Sequence, residues 1–477
     1  MIVPSPSTQP LPGITVQAVD FIDQLSYEML PEKALEIGRR CMLDAVGLYL
    51  AGASEPCTRI LVEQAREQGG RPEALLLGAG DIKVPAALAA RVLGTAGHAH
   101  DWDDTQVSRD PEHIYGLLTH PTVPPLTAAI VVAQRIGAVS GRQFMLAFQA
   151  GFEVECKISE WMRPRHYRRG HHSSGTVGTF GACVAAAKLL GLGRKETANA
   201  LGIAASLAAG IRVNFGTMTK PLHVGRAAEN GVTAALLAAR GYTADSQALD
   251  GPWGFFSVMG EGLDESKARE GFGRILTIIE PGVSIKPFPS GILTHQTMDA
   301  MLALIQQHGL KAGRVRAIRL HAGKNILEPI RYPLARTHLE AKFSMPALLA
   351  MLVLKGRASH HEFSDAFIQS PEMQAMQGLV ELHNDLEIDA KGYDKIRSRI
   401  EVDIDDGRTL IQWADENYRG GPDKPMTDAD VEEKFRICAE GVLDAERQAR
   451  LAETVLTIDK LPDVSALTSQ LVFGDAT

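Results

Sequence analysis

The sequence predicts a mainly α fold in which a large all-α helical domain carries an inserted α+β lid domain. Three observations lead there. Apolar residues recur at helical spacing, punctuated by Gly and Pro, through residues 1–274 and again through 421–477, the two parts of the helical domain. Strand-like alternation is confined to residues 275–420, the lid. Short islands rich in His, Asp and Lys are set between helices that are apolar on nearly all faces, the texture of a large helical interior.

The opening MIVPSPSTQPLPG is Pro/Ser-rich, and the chain before Pro31 reads as a short disordered lead. Helical spacing begins with residues 31–53, where Pro31 can take the first turn because its missing N–H costs nothing there. Residues 58–68, 84–97, 123–136, 143–161 and 195–209 repeat the style, with Gly or Pro at the breaks. Residues 210–225 read as a polar, Gly-rich loop, with Arg226 opening the next helix and residues 230–240 continuing it. In the lid, residues 293–308 form a helix closed by Gly309, 315–321 a strand and 344–355 a helix. Residues 396–406 and 409–413 then make a hairpin turning on DDG. Residues 428–451 return to unbroken helix.

Composition removes several classes of function. Of 477 residues, 45% are hydrophobic and 22% charged, as in a soluble globular protein, and the net charge of −8 includes no basic block for nucleic acid. No apolar run reaches the roughly 18 residues of a membrane span, and the N-terminus fits no signal or transit peptide. Five widely spaced cysteines without a CxxC point to a reducing, cytoplasmic setting, and Cys183 reads as a small core residue. P-loop, GxGxxG and GxSxG patterns are missing, which sets aside nucleotide, flavin and serine-hydrolase chemistry.

The islands carry the chemistry. The first, HAHDWDDTQVSRDPEHIYGLLTHP, supplies Asp101, Thr105 and His120. The second, MRPRHYRRGHHSS, supplies His172 beside a helix start, while Arg163, Arg165 and Arg168 read as solvated. The third supplies Lys220 and His223 around Pro221, and the fourth begins at Lys286. Lysines anchor carboxylates as point charges, and His and Asp exchange protons near neutral pH. Such a set suits a small polycarboxylate whose α-proton is removed, with nearby cations holding the developing charge. A metal held by His98, His100 and Asp101 is the rival. DWDD lacks the glycine and bidentate Glu of a calcium loop, and neither HExxH nor a cysteine cluster is present. The expectation is therefore a site without metal or other cofactor, with His98 and His100 as supporting or core histidines.

Six fragments in order, HAHDWDDT, HPTVPPLTAA, GHHSSGTVGTFGACVAAAKLLGL, TKPLHVGRAAENGVTAALLAARGYTA, KPFPSGILTH and LEAKFSMP, resemble the motifs of the MmgE/PrpD family. That family holds 2-methylcitrate dehydratases, cis-aconitate decarboxylases and iminodisuccinate epimerases. The resemblance implies a helical domain with an inserted lid, a homodimer, and cofactor-independent work on small di- and tricarboxylates. By motif it implies site residues at Asp101, Thr105, His120, His172, Lys220 and Lys286, with His223 and His295 as neighbours. Catalysis falls to His120, His172, Asp101 and Lys220; substrate binding falls to Thr105, Lys220, His223, Lys286 and His295. Two departures stand out: an extra RDPEHIYG-like segment between Thr105 and His120, and no clear counterpart, Tyr332 being nearest, of a tyrosine that decarboxylases carry before EAxxS. The leading expectation is a 2-methylcitrate dehydratase-like lyase. The alternatives are an epimerase of an imino- or amino-dicarboxylate and a cis-aconitate-type decarboxylase.

Overall fold

The computed structural model describes residues 13–107, 119–163, 165–392 and 395–474; the RDPEHIYG segment lies outside them. The chain is mainly α. Its longer helices are α1 (Ile14–Gln24), α2 (Glu32–Gly52), α3 (Pro56–Gln68), α4 (Ala86–His98), α5 (Val123–Ile136), α6 (Gly141–Trp161), α7 (Gly178–Leu189), α8 (Arg194–Leu207), α9 (Thr219–Ala238), α10 (His295–His308), α11 (Met345–Lys355), α12 (Asp428–Ala439) and α13 (Ala445–Leu456). Most starts and stops follow local chemistry. Ser140 and Gln143 form a capping box at α6, Ser344 caps α11, and Gly309 ends α10 in the left-handed conformation.

Three expectations are corrected. The lead contains a helix, α1, whose buried face is Ile14, Ala18, Val19 and Ile22. Residues 428–451 are two helices, broken at Gly441 (φ 77°) with Asp444 capping the second. The third correction bears on the site. Lys220, Pro221 and His223 belong to the first turns of one long helix, α9, and Arg226 continues that helix instead of opening it. Pro221 is tolerated there because first-turn N–H groups have no intrahelical acceptor.

Two hydrophobic cores organise the molecule. The larger joins helices α1 to α9 with Leu276, Ile278 and Ile285, and with Val431, Phe435, Leu451 and Val455 of the C-terminal helices. The smaller gathers Phe288 through Leu410 around a sheet, and takes Tyr167 and Phe215 from earlier in the chain. The sheet has β1 (Val315–Ala322), β2 (Val380–Asn384), β3 (Ser398–Ile404) and β4 (Thr409–Trp413) in the order β2-β1-β3-β4. β1 pairs parallel to β2 and antiparallel to β3, with Ile318 opposite both Val380 and Val402. Its apolar face, Ile318, Leu320, Ile400 and Val402, is buried with α10 and α11, while Arg319, Glu401 and Asp403 form ion pairs on the other. β2 was not foreseen, because its five residues VELHN make a short run that is only partly buried.

Helices α4 and α9 position the site. They run antiparallel in close contact, Arg91 facing Glu229 and Gly94 facing Gly225. A Cβ on Gly225 would collide with the Arg91 carbonyl and the Thr95 hydroxyl, so only glycine permits this approach. The crossing brings the last residue of α4, His98, against the second residue of α9, Lys220.

Candidate active site

Beyond α4 the chain makes a tight turn in which Asp101 adopts φ 52°, a left-handed conformation uncommon for a residue with a side chain. The segment then bonds to its surroundings. Thr105 exchanges main-chain hydrogen bonds with Ser284 at 2.9 and 2.8 Å, and the Gln106 amide donates to the Thr277 and Gly282 carbonyls. This stitching draws residues 277–286, and hence Lys286, alongside the first island. Ser174 accepts from the main-chain N–H of His120 at 3.1 Å, joining the second.

At the centre Lys220 Nζ lies 3.1 Å from Asp101 Oδ1 and 2.6 Å from His98 Nε2. Lys286 Nζ lies 3.0 Å from the same carboxylate oxygen and 2.9 Å from the Asp101 carbonyl. Phe215 and Phe343 flank the Lys220 ammonium, with ring centroids at 5.1 and 5.5 Å. Beneath, Asp103 accepts from His98 Nδ1 at 2.8 Å and lies 3.1 Å from His120 Nδ1. Asp103 thus holds both rings with Nδ1 as donor, leaving Nε2 of each as the basic nitrogen. Thr105 Oγ1 is 3.5 Å from His120 Nδ1. His172 caps a short helical turn and shares a 3.0 Å contact with His223 through their Nδ1 atoms.

A cavity opens on this cluster, lined by Asp101, Thr105, His120, His172, Lys220 and Lys286. Tyr167, Phe215, Ile292, Leu293, Ile330 and Phe343 make much of the rest. Six expected residues therefore converge on one cavity. His223 stands behind His172 instead of lining the cavity. His295 is buried under the Lys286 loop, with Nε2 3.3 Å from the Ser290 carbonyl, and lines no part of the cavity. Tyr332 turns its hydroxyl to the Phe215 carbonyl at 2.8 Å. His98 supports Lys220, as expected of a supporting histidine, whereas Asp103, Tyr167, Phe215 and Phe343 were missed as site residues. The signal available for Asp103 was its place in HAHDWDD; the aromatics carried none.

Burial governs the charges. It pushes the Lys220 ammonium below its ordinary range, against the pull of Asp101, and Lys286 adds to the lowering. Burial would raise Asp101, but Lys220 and Lys286 overcome it and hold the carboxyl well below the usual range. Asp103 is likewise held low, by His120 and His98 against burial. Burial lowers His120 and His172, and takes His98 to about 3 and His223 to about 4. With neutral imidazoles, two ammonium groups and two carboxylates, the cluster balances in charge. It can accept protons when an anion enters.

The HxHD metal set does not assemble, because His100 turns away to Glu55 and His360. A different set does: His98, Asp101, Asp103 and His120 offer donor atoms within 4.8 Å of one another, as do His98, His120 and His172. The Lys220 ammonium stands against His98 in this cluster, so a cation there would have to displace it.

Residues 16–267 match the MmgE/PrpD N-terminal domain and residues 288–460 the MmgE/PrpD C-terminal domain. The chain belongs to the MmgE/PrpD family. Among curated members of that family it is similar to a cis-aconitate decarboxylase of Homo sapiens, 28% identical over 471 residues that cover 97% of this chain and 95% of the relative. It is also similar to a cis-aconitate decarboxylase of Mus musculus, 27% identical over 97% of this chain and 94% of the relative. A cis-aconitate decarboxylase of Aspergillus terreus is 25% identical over 95% of each chain. In this MmgE/PrpD chain no helix among the described residues is long and apolar enough to cross a membrane.

Proposed function

We propose that the protein is a lyase that decarboxylates a small unsaturated tricarboxylate of the cis-aconitate type. The observation that carries this is the two-sided cavity, and the named relatives support it. Lys220 and Lys286 form an anion-binding wall. The rest of the lining, with Ile292, Leu293 and Ile330, presents apolar side chains. A substrate anchored at the cationic wall would press one carboxylate into that apolar side. There it loses solvation, whereas the transition state, in which its charge disperses toward carbon, loses less.

In the step itself the C–C bond to the departing carboxylate breaks and CO2 leaves. The released pair forms a new double bond, and the pair of the old double bond takes a proton at the far carbon. His120 and His172 are the proposed proton donors: neutral in the empty site, they gain protons when the trianion raises their affinity for them. Asp101 ties Lys220 to Lys286 and so fixes the spacing of the two anchors. Residues 275–420 would act as the lid, since Lys286 and the apolar wall come from that segment.

Dehydration of a 2-methylcitrate-like substrate is the second reading. It is favoured by the Tyr332 hydroxyl, which faces the Phe215 main chain instead of the cavity. Incubating the purified protein with cis-aconitate and following CO2 release and an unsaturated dicarboxylate by NMR tests the proposal. No product from cis-aconitate, together with dehydration of 2-methylcitrate, would replace the first reading by the second. Racemisation of an optically pure dicarboxylate would point to the epimerase.

A further inference from the structure

The turn that carries Asp101 is gripped by three buried lysines from three distant parts of the chain. Lys342 Nζ donates to the Ala99 carbonyl at 2.8 Å, Lys286 Nζ to the Asp101 carbonyl at 2.9 Å, and Lys434 Nζ to the Trp102 carbonyl at 2.7 Å. All three side chains are buried. Lys286 is explained by the site, because its ammonium also meets Asp101 Oδ1 and lines the cavity. Lys342 and Lys434 do not line the cavity. Lys342 precedes Phe343, which does, and its segment belongs to the smaller core. Lys434 sits on α12, 2.6 Å from the buried carboxylate of Asp44 on α2, with its ammonium 4.9 Å from the Trp102 ring centroid.

Burying an ammonium is costly; the Asp44 carboxylate offsets part of that cost at Lys434, while Lys342 meets the Ala99 carbonyl. Two such groups on one four-residue stretch, neither facing the cavity, therefore need a reason. The left-handed turn supplies one. A residue with a side chain at φ 52° is held only where its surroundings over-determine it. Two charge-assisted hydrogen bonds on the carbonyls either side of Asp101, at Ala99 and Trp102, do this. We propose that Lys342 and Lys434 are positioning residues for catalysis: two ammonium pins that hold the turn aiming the Asp101 carboxylate between Lys220 and Lys286. Neither touches substrate. Lys342 brings its pin from the segment of the apolar cavity wall, so the same contact registers that wall against the cationic one.

The test uses the full-length protein as Lys342→Met, Lys434→Met, and Lys434→Met with Asp44→Asn, the last removing the carboxylate that would otherwise be buried unpaired. Lys157→Met is the control, since Lys157 is a buried lysine paired with Glu160 on α6, away from the site. Crystal structures of the variants read the turn directly and need no substrate. They should show Asp101 leaving the left-handed conformation and Oδ1 parting from Lys220 or Lys286. The kinetic expectation rests on the function proposed above: with cis-aconitate, kcat falls about ten- to a hundred-fold, as for a misplacement of about 1 Å. KM should change less than about threefold, and Lys157→Met should lower the melting temperature without lowering kcat. If the wild-type protein does not turn over cis-aconitate, the function reading fails while the crystallographic comparison still decides the positioning role. If Lys434→Met fails to fold, the double variant and Lys342→Met carry the test. An unchanged turn overturns the proposal, as does a moved turn with wild-type kcat, or a loss of kcat equalled in the control.

Discussion

Replacing Lys220 by Met should separate stability from activity. The methionine keeps the volume of the aliphatic stem and removes only the charge. In the native site that ammonium is strained by burial, which outweighs the attraction of Asp101 and lowers its proton affinity. A folded-state value below the unfolded one means that the protonated lysine costs stability below about pH 10.5, so its removal relieves the fold. Asp101 is not stranded, because Lys286 remains 3.0 Å from Oδ1. The melting temperature should therefore change little, because relief of the buried ammonium and loss of its attraction to Asp101 oppose each other. Activity should fall. A substrate carboxylate brought into the cavity would meet one ammonium where two stood. Truncating one side of a buried charge pair costs about 2–5 kcal/mol, on the order of 30-fold to several-thousand-fold in kcat/KM. Lys220→Arg should not restore the rate, since a planar fork cannot take the place of a compact ammonium between Phe215 and Phe343. The assay is initial-rate decarboxylation with a parallel thermal melt. Wild-type kcat/KM in Lys220→Met with a normal melt would refute Lys220 as an anchor; lost activity with a collapsed melt would refute the strain argument.

His120→Gln should lower kcat far more than it raises KM, because proton transfer and not anchoring is lost; single-turnover kinetics would show it. The alkaline limb of the kcat/KM profile should fall below pH 10.5: Lys220 must be an ammonium to bind, and its folded value is lowered, so activity disappears as pH rises through that lowered value. Activity should survive exhaustive chelation. A loss restored by one divalent ion would instead assign His98, His120 and their carboxylate neighbours to a metal. Gly225→Ala should destabilise the fold by about 1–3 kcal/mol through overpacking against Arg91 and Thr95, visible as a lower melting temperature.

By itself the sequence determined the class of fold, most helix positions, the sheet hairpin and the six residues that meet at one cavity. These were legible because each rests on local physics: a 3.6-residue apolar period, a capping side chain, a Gly-Pro break, or a polar island where an apolar helix would otherwise continue. The family resemblance added that separate islands belong to one site. Tertiary structure decided what no local pattern encodes. His98 read as a supporting or core histidine, and only the α4–α9 crossing, fixed by Gly94 and Gly225, set it against Lys220. His295 matched a family motif, yet the Lys286 loop covers it and leaves it outside the cavity. Phe215 and Phe343 read as ordinary core residues, because which aromatics face an ammonium depends on contacts between residues far apart in the chain. The left-handed turn at Asp101 was invisible for the same reason. Its backbone is held by lysines at positions 286, 342 and 434, and a conformation imposed from that distance leaves no mark on its own seven residues HAHDWDD.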